Sequence, residues 1–126
     1  MPGQRILVIE DNPLNLELVR ALLEIHGYEV IDSGSAEEGI ARARSEQPQL
    51  IFIDLSLPGT DGLTATQLLK ADAATRHIPV VALTAHAMKG DDERARQAGC
   101  DGYMTKPIDT RSFPAAVARF LGLEQG

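Results

Sequence analysis

The sequence has few of the features that would place it in a membrane or outside the cell. Its one cysteine, Cys100, cannot form a disulfide within the chain. No apolar run approaches the roughly 20 residues that a membrane-spanning helix needs. The N-terminal segment turns acidic too early for a signal peptide. These absences exclude a disulfide scaffold and favour a cytoplasmic protein in a reducing compartment.

Basic residues and metal-binding side chains are also scarce. The chain has 12 Lys and Arg against 18 Asp and Glu, which gives a formal net charge of −6. This charge disfavours a nucleic-acid surface, because nucleic acids are polyanions. One cysteine and three scattered histidines offer no zinc-ligand spacing. The 126 residues, 44% of them hydrophobic, match the size and composition of one globular domain.

Short apolar runs alternate with longer helical patterns along the whole chain. The pattern predicts strands at 5–10, 29–33, 50–54, 79–85 and 102–106, and helices at 13–27, 36–46, 62–72, 89–99 and 110–122. Continuous apolar strands separated by helices are typical of a parallel sheet that is covered on both faces. The sequence therefore predicts an α/β protein with a three-layer α/β/α sandwich. We expect residues 1–126 to form a single domain with a core from about 5 to 121.

Local signals predict how two of the helices begin. Asn12 is the expected N-cap of the first helix, with Pro13 at the first helical position. Thr110 or Ser112 is the expected cap of the last helix, which would leave Pro114 in its first turn.

Polar side chains follow four of the five predicted strands. The first strand ends in Glu10 and Asp11, the third in Asp54, the fourth in Thr84 and the fifth in Lys106. In open parallel sheets, reactive groups gather beyond the carboxyl ends of the strands. Taken singly, each residue has a simpler interpretation, as a turn former, a helix cap or a solvated lysine.

The set as a whole needs a further explanation. Three carboxylates that converge on one edge repel one another by about 4 kcal/mol per pair at 4 Å in an effective dielectric near 20. Such a cluster persists if a hard cation and an ammonium group neutralise it. A few carboxylates that leave several waters in place suit Mg²⁺ better than Ca²⁺. Lys106 would supply the second positive charge.

These residues resemble the signature of response-regulator receiver domains. The resemblance rests on Glu10, Asp11, Asp54, Thr84 and the Lys106-Pro107 pair, and it extends from about Ile6 to Leu121. Tyr103 matches the aromatic switch position of this family, and the LPGTDG segment at 57–62 is similar to the loop after its phosphoacceptor. The resemblance implies a flavodoxin-like fold with a five-stranded parallel sheet of order 2-1-3-4-5.

The resemblance also implies a phosphoacceptor and a metal site. Asp54 would accept a phosphoryl group from a phosphohistidine on a histidine kinase or a histidine phosphotransfer protein. Mg²⁺ would be held by Asp11, Asp54 and the backbone carbonyl of Ser56, with Glu10 acting through a water.

The remaining motif residues would respond to the phosphoryl group. The Lys106 ammonium and the Thr84 hydroxyl would contact the phosphoryl oxygens, and a cis peptide bond before Pro107 would aim Lys106 inward. Thr84 would move toward the phosphoryl group, and Tyr103 would turn inward to fill the space that it vacates. This movement would change the surface formed by the fourth helix, the fifth strand and the fifth helix, where we expect a downstream protein to bind.

The first helix is more apolar than a single core-facing stripe requires. Two groups share faces, at 100° per residue: Leu14, Leu18, Leu22 and Ile25 within roughly 80°, and Leu16, Val19 and Leu23 within roughly 60°. Together they cover about 200°, against the ~100° that a surface helix needs. Either a packed neighbour covers the excess, or the excess docks a helical kinase or phosphotransfer partner from about Asn12 and Asn15 onwards.

Three functions remain open. The leading hypothesis is a stand-alone receiver without an output domain, since only GLEQG follows Leu121. It would be a signalling module that assists only its own phosphorylation and slow autodephosphorylation. The second is a receiver domain excised from a hybrid histidine kinase. The third is a small haloacid-dehalogenase-like phosphohydrolase, which the serine at position 56 disfavours because that family has a second acid there.

Overall fold

Apolar strands and amphipathic helices alternate through the computed structural model, which describes residues 4–55, 62–84, 91–105 and 108–122. The strands are β1 (Arg5–Ile9), β2 (Glu29–Ser33), β3 (Leu50–Asp54), β4 (Val80–Thr84) and β5 (Gly102–Thr105). The helices are α1 (Pro13–Ile25), α2 (Ala36–Glu46), α3 (Gly62–Ala71), α4 (Asp91–Ala98) and α5 (Phe113–Phe120). The predicted number and order of elements are confirmed, and several predicted elements are shorter at one or both ends.

The five strands form one parallel sheet in the order β2-β1-β3-β4-β5. This is the order that the resemblance implied. All residues of β3 and β4 are buried, because these strands lie inside the sheet and helices cover both of its faces. Among the described residues, no helix combines the length and the apolar character that crossing a membrane requires.

Strand side chains alternate between two apolar clusters, one on each face of the sheet. The first cluster contains Leu7, Ile9, Ile51 and Ile53 together with apolar residues of α2, α3 and α4. The second contains Ile6, Val8, Leu50 and Phe52 together with apolar residues of α1 and α5. The ring of Phe52 lies 5.4 Å from that of Phe113 in α5. The result is the predicted α/β/α sandwich.

The start of α1 follows the prediction from the sequence. The Asn12 side-chain oxygen accepts hydrogen bonds from the backbone N–H groups of Leu14 at 2.9 Å and Asn15 at 3.2 Å. Pro13 occupies the first turn, where a missing N–H costs no helical hydrogen bond. The cap therefore fixes where α1 begins relative to Asp11, two residues before the helix.

The start of α5 differs from the prediction. Ser112 directly precedes the helix in a helical backbone conformation and makes no side-chain capping bond, so it is not the predicted cap. Thr110 lies three residues before the helix begins and is therefore not at the cap position. Asp109 instead organises the turn that leads into the helix. Its carboxylate accepts the N–H of Arg111 at 2.9 Å, and its carbonyl accepts that of Phe113 at 3.0 Å.

Cys100 is buried in the first apolar cluster, in the turn that follows α4. Its thiol donates to the Thr66 hydroxyl at 3.7 Å. Burial raises the pKa of the Cys100 thiol. The thiol therefore stays protonated at neutral pH, which fits a packing role better than a reactive one.

Gly62 begins α3 directly against the end of β3. A Cβ atom at this position would lie 2.5 Å from the Asp54 carbonyl oxygen and 2.8 Å from the Leu55 Cα. Both are backbone atoms, which cannot swing aside as a flexible side chain can. The missing side chain of Gly62 thus allows α3 to approach the strand end that carries Asp54.

Replacing Gly62 by alanine should destabilise the fold. We expect Gly62→Ala to lower the free energy of unfolding by about 1–3 kcal/mol through overpacking, measured by urea denaturation. Gly34→Ala is the matched control, because a Cβ at Gly34 has no neighbour within 4 Å. Its effect should stay within about 0.5 kcal/mol. Equal effects of the two substitutions would contradict the close approach at Gly62.

Candidate functional site

Three carboxylates meet at the carboxyl edge of the sheet. Glu10 and Asp11 directly follow β1, and Asp54 is the last residue of β3. One carboxylate oxygen from each lies within 4.8 Å of the others. The register explains this convergence. Ile9 of β1 pairs with Ile53 of β3, so Glu10 and Asp54, which directly follow these two residues, lie side by side. The structure therefore brings together the acidic residues that the strand-end pattern singled out.

The three carboxylates differ in their exposure. Glu10 is 1% exposed and Asp54 3% exposed, whereas the Asp11 side chain is exposed. Two of the carboxylates are thus set in the packed end of the sheet, and the third lies at the solvent side. A ligand bound between them would keep access to water on one side only.

Hydrogen bonds hold Glu10 in place from two directions. Its backbone N–H donates to the Ser33 carbonyl at 2.9 Å, and its carboxylate accepts the N–H of Asn12 at 3.2 Å. Ser33 is itself buried, and its hydroxyl donates to the Ser35 carbonyl at 2.8 Å. Sequence reasoning missed Ser33. The available signal was that the predicted second strand, 29–33, also ends in a polar residue, although the strand-end pattern counted only the other four strands.

The donor set of this site fits a hard cation. It consists of carboxylate oxygens, the ligands that Mg²⁺ and Ca²⁺ prefer over nitrogen or sulfur. Three carboxylates with one side open to water suit Mg²⁺, because this ion usually keeps several water ligands when a protein binds it. The residues present therefore fit the Mg²⁺ that the resemblance implies.

Thr84 and Tyr103 lie on neighbouring strands and on the same face of the sheet. Thr84 is buried and continues the alternation of Val80 and Ala82, which belong to the first cluster. Tyr103 pairs in register with Ala82 and packs, half-buried, against that same cluster. Asp54 instead continues the alternation of Phe52, which faces α1 and α5.

A cavity of about 290 Å³ lies beside Tyr103. Residues at the end of α4, in the following turn and at the start of β5 line it: Ala95, Arg96, Cys100, Asp101, Gly102 and Tyr103. None of the three clustered carboxylates contributes to it. The cavity is therefore a feature of the α4–β5 region and is separate from the acidic site.

Part of the predicted site lies outside the described residues. Ser56, Lys106 and Pro107 belong to this part of the chain. Their expected roles, as a carbonyl ligand, a second positive charge and a cis peptide position, stay predictions.

The excess apolar surface of α1 is not covered by the described part of the chain. Leu14 is 77% exposed, Ile25 79% and Leu18 37%. Leu16 and Leu22 do pack against the second cluster, beside the buried residues of the helix. Of the two explanations offered for this helix, a packed neighbour accounts for Leu16 and Leu22 only.

The parallel sheet and the carboxylate cluster define a flavodoxin-like α/β protein with an acidic site at the carboxyl edge of its sheet. A model of the response regulator receiver domain matches residues 6–118. The polar-differentiation response regulator DivK of Brucella ovis is 47% identical over 117 residues, which cover 93% of this chain and 95% of DivK. DivK of Brucella anthropi is 46% identical over the same length. The chain belongs to the response regulator receiver domain family.

Solved structures support the same assignment. The receiver domain of a sensor histidine kinase from Pseudomonas aeruginosa superimposes with a TM-score of 0.88 at 35% identity, covering 95% of this chain and 98% of that one. That structure has a magnesium ion coordinated in its active-site cleft. A CheY-like receiver domain protein from Methanospirillum hungatei gives a TM-score of 0.85 at 28% identity, with 94% of each chain covered. The family is not a classical enzyme family, so the phosphohydrolase alternative loses its support.

The acidic site should bind Mg²⁺ through Asp11. We expect Asp11→Asn to weaken Mg²⁺ binding at least about tenfold, or about 1.4 kcal/mol, because the site loses one of its three carboxylate charges. Titration calorimetry would measure the affinity. The matched control is Glu46→Gln, which removes an equal charge at the far end of α2, where Glu46 pairs with Arg5. An Asp11→Asn affinity equal to that of the control would place the metal elsewhere.

Proposed function

We propose that the chain is a phosphorylation-switched response regulator that accepts a phosphoryl group on Asp54. The donor would be a phosphohistidine on a histidine kinase or a histidine phosphotransfer protein. One observation carries the proposal: the oxygens of Glu10, Asp11 and Asp54 converge within 4.8 Å at a buried strand end. This convergence occurs in a chain whose residues 6–118 match the receiver family.

A receiver domain of a hybrid histidine kinase is the second candidate. The likeness to the Pseudomonas aeruginosa domain, at 35% identity, favours it because that domain belongs to a sensor histidine kinase. The higher identity to DivK, at 47%, favours the response regulator. The proposed chemistry at Asp54 is the same for both candidates.

Of the three carboxylates, Asp54 is the one whose position suits a nucleophile best. It ends β3, which lies between β1 and β4 and has no exposed residue. The strand ladder continues just past it, since the Leu55 N–H donates to the Leu83 carbonyl at 2.9 Å. A carboxylate held in this way is positioned before its substrate arrives. In the transfer, a carboxylate oxygen of Asp54 forms the new P–O bond while the P–N bond of phosphohistidine breaks, and the bonding electrons leave on the imidazole nitrogen.

The residues next to Asp54 would hold a cation that offsets the negative charge there. Asp11, Asp54 and the carbonyl of Ser56 would hold Mg²⁺, with Glu10 acting through a water. When bound, the ion supplies positive charge that offsets the carboxylates and the phosphoryl oxygens. Glu10 is suited to a fixed role because the Asn12 N–H already binds its carboxylate.

Two residues after the fourth and fifth strands complete the proposed site. The Lys106 ammonium would bind a phosphoryl oxygen as a second cation, and a cis peptide at Pro107 would aim it inward. The Thr84 hydroxyl would donate to another phosphoryl oxygen through a charge-assisted hydrogen bond.

The signal would leave the site through Thr84 and Tyr103. A movement of Thr84 toward the phosphoryl group would vacate space that the Tyr103 ring can enter, and both residues share one face of the sheet. The cavity beside Tyr103 leaves room for α4 and β5 to adjust. We place the downstream partner on the α4–β5–α5 surface for this reason.

The phosphodonor would dock on the N-terminal part of α1. Asn12 and Leu14 are exposed there and Asn15 is half-buried. These residues directly follow Asp11, so a protein bound to them and to Leu18 would reach the acidic site without a change of fold.

Asp54 should be the sole site of phosphorylation. Incubation with acetyl phosphate and Mg²⁺ should add one phosphoryl group to the wild type, detected by intact-protein mass spectrometry. Asp54→Asn should abolish the addition, since an amide oxygen cannot serve as the nucleophile. Asp32→Asn is the control, because Asp32 is a surface residue paired with Arg20. Full labelling of Asp54→Asn would move the phosphoacceptor to another residue.

Thr84 should couple the phosphoryl group to β5. We expect Thr84→Ala to accept the phosphoryl group yet lose the amide shifts that beryllium fluoride, a phosphoryl mimic, induces at residues 100–105 of the wild type. Thr84→Ser keeps the hydroxyl and should restore them. A full change from 1:99 to 99:1 needs about 5.5 kcal/mol of differential stabilisation, so partial shifts are also informative. Wild-type shifts in Thr84→Ala would rule out this coupling route.

A further inference from the structure

The cavity beside Tyr103, which we name the α4–β5 cavity, has an apolar floor and a charged rim that faces solvent. Ala95 and Cys100 are buried members of the first apolar cluster, and the half-buried Tyr103 packs against that cluster. Arg96 and Asp101 also line the cavity, and both residues are exposed. Its volume of about 290 Å³ is close to the lower limit of the ~300–1,000 Å³ that is usual for small-molecule sites.

Hydrogen bonds fix one wall of the α4–β5 cavity. The Asp101 carboxylate accepts the backbone N–H of Val80 and the ammonium of Lys70, both at 2.8 Å. The backbone N–H of Asp101 donates to the Val80 carbonyl at 2.7 Å. Lys70 also donates to the carbonyls of Ile78 at 2.8 Å and Arg76 at 3.3 Å. The wall is therefore formed before a ligand arrives, and such preorganisation lowers the entropic cost of binding.

The charges at the rim favour an anion. Lys70 already offsets the carboxylate of Asp101, with which it forms an ion pair at 2.8 Å. Arg96 forms no ion pair with a carboxylate in the part of the chain that the structure describes. The thiol of Cys100 on the floor is neutral, because burial raises its pKa. Among the described residues that line the cavity, the charge left to bind a ligand is therefore the Arg96 guanidinium.

A carboxylate suits this guanidinium better than a phosphate does. Arginine binds a carboxylate through two parallel N–H···O bonds, and one positive charge then balances one negative charge. A phosphate dianion would leave negative charge unbalanced beside Asp101, in a chain whose net charge is already −6. The floor adds an apolar surface with the ring of Tyr103, against which a flat apolar group can pack.

We propose that the α4–β5 cavity binds a small-molecule carboxylate that carries an apolar ring. The Arg96 guanidinium binds the carboxylate at the rim, and the ring packs on the floor between Cys100 and Tyr103. The acidic site takes no part, because its three carboxylates do not line the cavity. The protein thus has a second ligand site, on the face of the sheet that α4 covers.

A bound ligand also biases the proposed switch, and this consequence rests on the proposed function. Tyr103 lines the cavity, and it is the residue that would turn inward when Asp54 is phosphorylated. A ligand packed against the ring favours the position in which the ring forms the cavity wall. Because binding couplings are reciprocal, a phosphoryl mimic at Asp54 weakens ligand binding by the same factor by which the ligand weakens the mimic.

Three small molecules test the site directly. Phenylacetate has both the carboxylate and the ring, phenylacetamide keeps the ring without the charge, and acetate keeps the charge without the ring. We expect phenylacetate to bind with a dissociation constant of about 1 mM or lower, and the other two to bind at least about tenfold more weakly. Titration followed by nuclear magnetic resonance measures the affinities, and amide shifts at residues 95–103 locate the site.

Substitutions at the rim test whether Arg96 binds the carboxylate. Arg96→Gln should weaken phenylacetate at least about tenfold and change phenylacetamide less than about twofold, because only the charged contact is lost. Arg94→Gln is the matched control, since Arg94 is exposed on the same helix and does not line the cavity. Arg96→Glu should reverse the preference toward phenethylamine, the matched cation, an effect that misfolding would not produce.

Three results would overturn the ligand site. These are no shifts at residues 95–103 with phenylacetate, equal affinities for phenylacetate and phenylacetamide, or an unchanged phenylacetate affinity in Arg96→Gln. Beryllium fluoride should weaken phenylacetate binding to the wild type at least about threefold. An unchanged affinity in its presence would overturn the link to the switch.

Labelling with acetyl phosphate separates this inference from the proposed function, because phenylacetate binding to the unmodified protein needs no phosphoryl chemistry. A wild type that is labelled on Asp54 but does not bind phenylacetate would overturn only the inference. A wild type that binds phenylacetate as described but is not labelled would overturn the proposed function and leave the ligand site in place.

Discussion

The carboxylates of Glu10, Asp11 and Asp54 repel one another, and the fold nevertheless holds them within 4.8 Å. A pair at 4 Å costs about 4 kcal/mol in an effective dielectric near 20. Burial of the strands offsets this cost, since each fully buried large apolar side chain contributes about 1.5–3 kcal/mol and every residue of β3 is buried. The folded state thus retains a concentrated negative charge at one edge. Such a charge favours the binding of a cation, which in the proposed function would also offset the charge of the phosphoryl oxygens.

The proposed phosphoacceptor and the proposed switch residues face opposite sides of the same sheet. Asp54 continues the alternation toward the face of α1 and α5, whereas Thr84 and Tyr103 belong to the face of α2, α3 and α4. In the proposed function, the phosphodonor therefore approaches along α1 on one face and the switch operates on the other. The central strands join the two faces because a strand places successive side chains on opposite sides. A rigid, fully buried β3 can carry a group at its end without being deformed itself.

The sequence by itself determined the elements and the acidic character of the site. Uninterrupted apolar runs indicated buried parallel strands. Asn12 and Pro13 indicated where α1 begins. Both signals can be read from the sequence because they involve residues that are close together in the chain. The polar residues after the strands indicated one acidic edge because parallel strands end at the same side. Pattern alone could not order the strands. The order 2-1-3-4-5 came from the family resemblance.

Only the tertiary structure decided which side chains pack and which remain exposed. The excess apolar surface of α1 had two explanations, and the fold buried Leu16 and Leu22 partly while leaving Leu14 and Ile25 exposed. Ser33 lies beside Glu10 because its carbonyl accepts the backbone N–H of Glu10. No local sequence pattern specifies this hydrogen bond. These features are set by contacts between residues distant in the sequence, and such contacts exist only once the sheet and its helices have assembled.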